Sequence, residues 1–415
     1  MNENNKFRRE YKRLKFSLYR EDYDKLVSKI TENNRRLNLL INHHLYEESA
    51  KPRGRRQSPN FSLIQDYAAR VYQIICASFS CKCQSVHGIS LLLENRKYHS
   101  IDGCVALPNL QLALSYNLTD TQTDNTPWAL EAVEVRLIQE GSNARIRNPQ
   151  PTLAESNAHK MPELSPINNF CEEMQRLGKR AQGRGIGILV DQKTTQRLAV
   201  FPPSLPFLDL KSQTLRSLGS MLNPINSIGV RKLSWLNRKR LAVTLASSFL
   251  QLCRTPWMKE TWGNQDILFL DINTGNFLDW PLIMSGLYVS PTAPIAISES
   301  PSKSYPFQSR NPAVFALGIL LIELCFAKTF KTLRRETSLP GWTSQNSVPD
   351  YVVAEALLES VYEEGGDRYG HAVRRCIRCD FDSRSNSLDS ETFLEKVHEK
   401  VVILLQEGLS NFCQD

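Results

Sequence analysis

The stretch NPAVFALGILLIELCFA, residues 311–327, constrains this chain more than any other. A helix drawn through it is apolar on almost every side, with Glu323 its one charged residue. Such a helix has to be buried, because no face of it is suited to water. It therefore belongs at the centre of a group of helices. The apolar run from Val314 to Ala327 is too short to span a bilayer, which takes roughly 20 apolar residues.

The chain has 415 residues, enough for about two to three domains. Its 41% apolar and 23% charged residues are ordinary for a globular protein. No segment reads as a transmembrane helix, and the polar, basic N-terminus is unlike a signal peptide. Ten scattered cysteines suit reduced thiols. Together these features lead to the expectation of an intracellular, cytoplasmic protein. The net charge of +8 is concentrated at one end: residues 1–56 carry 15 Lys/Arg against 8 Asp/Glu, a net +7. Any attraction to an acidic partner should act there.

Residues 22–46 have apolar positions at three- and four-residue steps (Tyr23, Leu26, Val27, Ile30, Leu37, Leu40, Ile41), the pattern of an amphipathic helix with a basic opposite face. A second helix is expected from Ser62 to Ser78. From Cys81 the pattern changes to strands, "GISLLLE", "LQLALSY" and "LEAVEVRLI", then a single helix in "INNFCEEMQRLGKR" and a hairpin from "GIGILVD" and "QRLAVFP". After Phe207 helices are expected at 211–221, 237–252, 311–327, 351–362, 369–379 and 390–406. The expected organisation is a basic helical region at 1–80, a strand-rich part at 81–206 and a helical part at 207–415, an α+β layout.

The helix "RKRLAVTLASSFLQLC" runs into "RTPWMKETWGNQ" and then the strand "ILFL". A loop that transfers phosphate in the protein-kinase manner needs a carboxylate to accept the substrate's proton, an Asn for a magnesium ion, and an Asp after the next strand. Lys259-Glu260-Thr261 occupy the H-R-D positions, Asp266 the Asn position, and Asp279-Trp280-Pro281 the D-F-G position. "YVSPT" matches Y-x-A-P-E with its Glu lost, and Ala313, Phe315 and Gly318 match D-x-W-x-x-G. "CIRCDFDSR" keeps Cys376, Asp380 and Arg384 in register with a C-x-x-x-D-P-x-x-R segment.

On these residues the chain resembles a fungal kinase-like domain of unknown function. "RLAVTLASSFLQL-x-x-TPW", "NPAVFALGILLIEL" and "VYEEGGDRYGHAVRRCIRCDFDSRSNSL" carry the resemblance, over about residues 235–400. It implies a protein-kinase-like bilobal fold: a strand-rich small lobe and a helical large lobe, preceded by the N-terminal helical region. It also implies structural roles for Gly318, Cys376, Asp380 and Arg384. The company such domains keep, helical regions linked to prion propagation and heterokaryon incompatibility, implies signalling in self/non-self recognition or cell death.

The substitutions point away from catalysis. Thr261 has no useful basicity, and a placed base supplies about 10²–10⁴ in rate. No glycine-rich loop joins paired strands. "GRGIGIL" follows the lone helix and reads as a turn entering a strand. No V-A-I-K-type lysine is found, and Arg136 is the nearest stand-in by position. The expectation is a pseudokinase that binds a protein partner and uses no cofactor. The competing reading is an atypical phosphotransferase, with ATP and Mg or Mn held by the metal candidates Asp266 and Asp279; capping a turn is the plainer role for each aspartate.

A third reading makes the basic N-terminal helix a membrane-directed effector that contacts an acidic lipid surface. Nucleic acid is disfavoured, because few aromatics are interleaved with the charges. The Ser/Pro-rich "PTAPIAISESPSKSYPFQSR" reads as an insertion. Arg384 needs an acidic partner, for which Glu299 and Glu323 are the candidates. Cys81, Cys83 and His87 lack zinc-site spacing, and Cys376 and Cys379 read as core thiols.

Overall fold

A computed structural model describes residues 25, 28–34, 59–79, 87–94, 100–101, 104–105, 109–116, 130–138, 164–177, 185–191, 196–203, 215–222, 233–270, 281–287, 310–337, 348–383 and 385–412. The chain divides into two units, Met1–Ser58 and Pro59–Asp415. In the first, residues 28–34 are helical and Ile30 is exposed. The rest of the amphipathic pattern lies largely outside the described residues.

The second unit opens with helix α1 (Phe61–Ser78) and is built on an eight-stranded sheet. Its strands are β1 (His87–Leu92), β4 (Leu110–Tyr116), β5 (Leu130–Ile138), β6 (Gly187–Val190), β7 (Arg197–Phe201), β8 (Leu215–Ser217), β9 (Ile267–Leu270) and β10 (Leu282–Leu287). The order is β6-β7-β5-β4-β1-β10-β9-β8, and every pairing is antiparallel. A two-stranded ribbon, β2 (Ser100–Ile101) with β3 (Cys104–Val105), stands apart from it.

Alternation along the strands sorts side chains between two faces. Ile89, Leu91, Leu112, Leu114, Val133, Val135, Leu198 and Val200 form the apolar, buried centre of one face, with His87 and Glu131 at its margin. Ser90, Ala113, Ala132, Glu134 and Ala199 lie on the other, small or polar and also buried.

Three of the eight strands follow residue 206. β10 pairs with β1 along its whole length, from His87↔Leu287 to Leu92↔Leu282. Strands are therefore not confined to 81–206. In the described part of the helix expected at 211–221, residues 215–221 form β8 followed by the single-turn α3 (Leu218–Met221), capped by Ser217. Pairing of β8 with β9 overrides a short helical pattern there.

The remaining elements are helices: α2 (Phe170–Leu177), α4 (Trp235–Leu252), α5 (Pro312–Phe326), α6 (Phe330–Glu336), α7 (Asp350–Gly365), α8 (Asp367–Arg378), α9 (Glu391–Val397) and α10 (Ile403–Phe412). A π-helical turn at His398–Val402 joins the last two. Side chains fix several starts. Asn60, Ser234, Asn311 and Thr329 each accept a backbone N–H three residues on, and Pro312 occupies the first turn of α5.

Helix α5, the apolar 311–327 segment, packs against α4, α6, α7 and α8. Gly318 lets α8 approach it. A Cβ at that position would lie 2.7 Å from Ile377 Cδ1 and 3.0 Å from Cys376 Cβ. Among the described residues no single helix is long and apolar enough to cross a membrane.

Candidate functional site

The segment between α4 and β9 is the candidate site, and side chains hold it from several directions. Helix α4 ends at Leu252, and Arg254 takes a left-handed conformation (φ 70°) that turns the chain. Thr255 Oγ1 then donates to Leu252 O at 2.6 Å, and Met258 N donates to Thr255 O. Trp257 is buried, donates from Nε1 to Ala68 O of α1 at 2.7 Å, and meets Tyr72 edge-on. Trp262 is also buried, stacks on Phe249 of α4, and donates from Nε1 to Ala313 O of α5 at 3.4 Å.

Asn264 completes the anchoring. Its Nδ2 donates to Glu323 Oε1 at 2.5 Å, and Gly219 N donates to its carbonyl at 3.0 Å. Glu323 Oε1 also accepts Phe330 N at 2.7 Å, at the start of α6. Burial pushes the Glu323 carboxyl up to about 7, against the two hydrogen bonds that favour its charged form.

Lys259, Glu260 and Thr261 are all exposed and lie between the two buried tryptophans. Asp266 Oδ2 accepts Gly263 N at 2.9 Å, closing a tight turn, and Oδ1 lies 3.6 Å from Lys259 Nζ. Its carboxylate is thus used in the turn-capping way open to any aspartate. Asp279, the second metal candidate, lies outside the described residues, as does Arg384. Among the described residues no group of three or more His, Cys, Asp or Glu side chains could hold a metal ion.

The structural candidates fall in the helical part. Cys376 is buried on α8 beneath Gly318, where burial pushes its thiol well up, and Cys379 caps α8 in a left-handed conformation with its thiol pushed up to about 11. Asp380 is exposed, and its backbone carbonyl accepts Arg375 Nη1 at 2.8 Å. Glu323, offered above as a partner for Arg384, is hydrogen-bonded by Asn264 and Phe330 N; Glu299 lies outside the described residues.

Arg136 forms a 2.6 Å ion pair with buried Glu134 two residues earlier on β5 and lies over the Phe201 ring. The glycine cluster also has a packing reason. A Cβ on Gly187 would lie 2.7 Å from Ser165 O, where residues 165–167 run along the edge of β6. Cys81 and Cys83 lie outside the described residues, and His87 is buried at the start of β1.

Trp257 falls within the T-P-W end of the family motif, whereas Trp262 and Asn264 escape it because neither falls on a motif or catalytic position. The sequence signal available was two tryptophans within one short polar loop, which only a demand for anchoring explains.

Comparison with known sequences is decisive on kinship, because the profile of a domain of unknown function, DUF7580, matches residues 58–412. The chain belongs to the DUF7580 family. The match begins where the second compact unit begins, so α1 is part of the DUF7580 domain. No curated protein matches the chain. A solved complex of Neurospora crassa PAN2 (WD40-CS1) with PAN3 (pseudokinase and C-term) is similar over 86% of this chain and 72% of that one, at 8% identity. Its TM-score of 0.27 does not establish that this DUF7580 domain shares its fold.

Proposed function

We propose that this DUF7580 protein is a non-catalytic, kinase-like signalling or interaction module that works by binding a protein partner. The observation that carries the reading is the state of the loop at 259–266. The proton-acceptor position is Thr261, and the Asp266 carboxylate is occupied by Gly263 N and Lys259. A threonine hydroxyl cannot take a substrate proton near neutral pH.

Two further features support a kinase-like scaffold under that loop. The helix–loop–strand order α4, 253–266, β9 keeps the motif spacing. The apolar helix α5 also holds the loop, through Ala313 O and Glu323. We extend the proposal to a small lobe built on the strands of 81–206 and a large lobe built on the helices of 207–415, sharing one sheet, with the basic residues ahead of α1 serving recruitment. The fungal self/non-self or cell-death role belongs to the same proposal.

Thermal unfolding of the full chain with millimolar ATP and Mg²⁺ or Mn²⁺ tests it. No shift in Tm is expected. A shift that Asp266→Ala abolishes would replace this reading with a metal-dependent nucleotide-binding enzyme.

A further inference from the structure

We propose that Ser387 is a phosphorylation site, and that a phosphate there takes Arg254 from Asp389. The segment 386–391 is tied to three separate elements. Asn311 Nδ2, at the cap of α5, donates to Asn386 O at 2.8 Å. Arg254, just past α4, pairs through Nη2 with Asp389 Oδ1 at 2.8 Å. The Glu391 carboxylate accepts Phe61 N at 2.9 Å and Ser62 Oγ at 2.6 Å, in the first turn of α1. Ser387 lies among these ties and is exposed.

The Ser387 hydroxyl donates to Asp389 Oδ2 at 2.9 Å and accepts Asp389 N at 3.2 Å. Ser387 and Arg254 therefore hold the two oxygens of one carboxylate. In sequence, Arg384 stands three residues before Ser387 and Leu388 one after. That is the pattern read by protein kinases that select basic residues.

Such a kinase would supply the phosphoryl group from ATP. The bond from the γ-phosphorus to the bridging oxygen breaks and ADP leaves. A bond from Ser387 Oγ to phosphorus forms, and the hydroxyl proton passes to the modifying kinase's base. The product carries a charge of about −1.5 to −2 and has no proton to give Asp389. Attraction between residues 387 and 389 becomes repulsion. The Arg254 side chain is 41% exposed, so it is free to turn to the stronger anion, with which a guanidinium bonds through two N–H groups. The tie to α4 then runs through the phosphate.

The test has two parts, both on the full chain. It is incubated with ATP and the catalytic subunit of cyclic-AMP-dependent protein kinase, and the modified residue is mapped by tandem mass spectrometry. A second sample carrying encoded phosphoserine at 387 is titrated by ³¹P NMR, with and without Arg254→Gln. Expected are labelling of Ser387 that Arg384→Ala reduces, and a second phosphate ionisation below the usual value of about 6 that returns towards it in Arg254→Gln. A folded chain left unmodified at Ser387, or an ionisation indifferent to Arg254→Gln, overturns the proposal. Neither result depends on whether this protein itself transfers phosphate.

Discussion

Asn264 Nδ2 donates to Glu323 Oε1 at 2.5 Å, joining the loop before β9 to the helix at the centre of the domain. Glu323 is 2% exposed, and it is the one charged side chain in an otherwise apolar helix. A buried acid is costly unless its oxygens are used. Here the carboxylate holds the loop and the first N–H of α6 together.

The first prediction concerns pH. Glu323 is raised from 4.5 to about 7 in the folded chain. Its stabilising effect is complete below pH 4.5 and is lost as pH rises through 7, since the unfolded chain gives up the proton more readily. The whole window amounts to about 3 kcal/mol. Glu323→Gln keeps an acceptor for Asn264 and Phe330 N but does not titrate. Urea midpoints measured from pH 4.5 to 8 should fall for the natural chain relative to Glu323→Gln. Parallel curves would show that the carboxyl titrates normally.

His398 works in the opposite sense. Burial lowers its pKa below 6.5, and its ring lies 5.5 Å from that of Phe61. The neutral ring is favoured in the fold, so stability is present above pH 6.5 and lost as pH falls below it. His398→Gln should weaken that acid-side loss, read from the same urea midpoints. An unchanged loss would assign it to other groups.

Gly318 tests the packing of α5 on α8. An added methyl group would lie 2.7 Å from Ile377 Cδ1 and 3.0 Å from Cys376 Cβ. Gly318→Ala should therefore destabilise by about 1–3 kcal/mol, despite alanine's better helix propensity. Chemical denaturation reads this directly. A stabilised variant would mean that the two helices can part without loss.

Trp257 tests the other anchor. Trp257→Phe keeps most of the buried ring but leaves Ala68 O without its indole donor, a loss of about 1–3 kcal/mol. Hydrogen exchange should then rise along 253–262. If exchange rises only in α1, the tryptophan secures that helix and not the loop.

Sequence reasoning reached the elements whose signal is local. α1, the β6–β7 hairpin, β4, β5, α4, α5, α7 and α8 follow from periodicity and caps, and their ends differ from expectation by a few residues. It missed what depends on distant pairing. β8 is a strand because β9 lies beside it, and β10 joins β1 across nearly 200 residues of chain. At the candidate site the sequence locates Lys259, Glu260, Thr261 and Asp266. It also offers turn-capping as the plainer role of Asp266, the role that Gly263 N fills, but it cannot show that Glu323 reaches Asn264, a contact that spacing does not encode.

The most direct measurement of the central claim is phosphate transfer itself. The full chain is incubated with γ-³²P-labelled ATP, Mg²⁺ or Mn²⁺ and a mixed protein acceptor, beside Asp266→Ala. The account predicts no incorporation above a no-protein control for either chain. Incorporation by the natural chain that disappears in Asp266→Ala would contradict it.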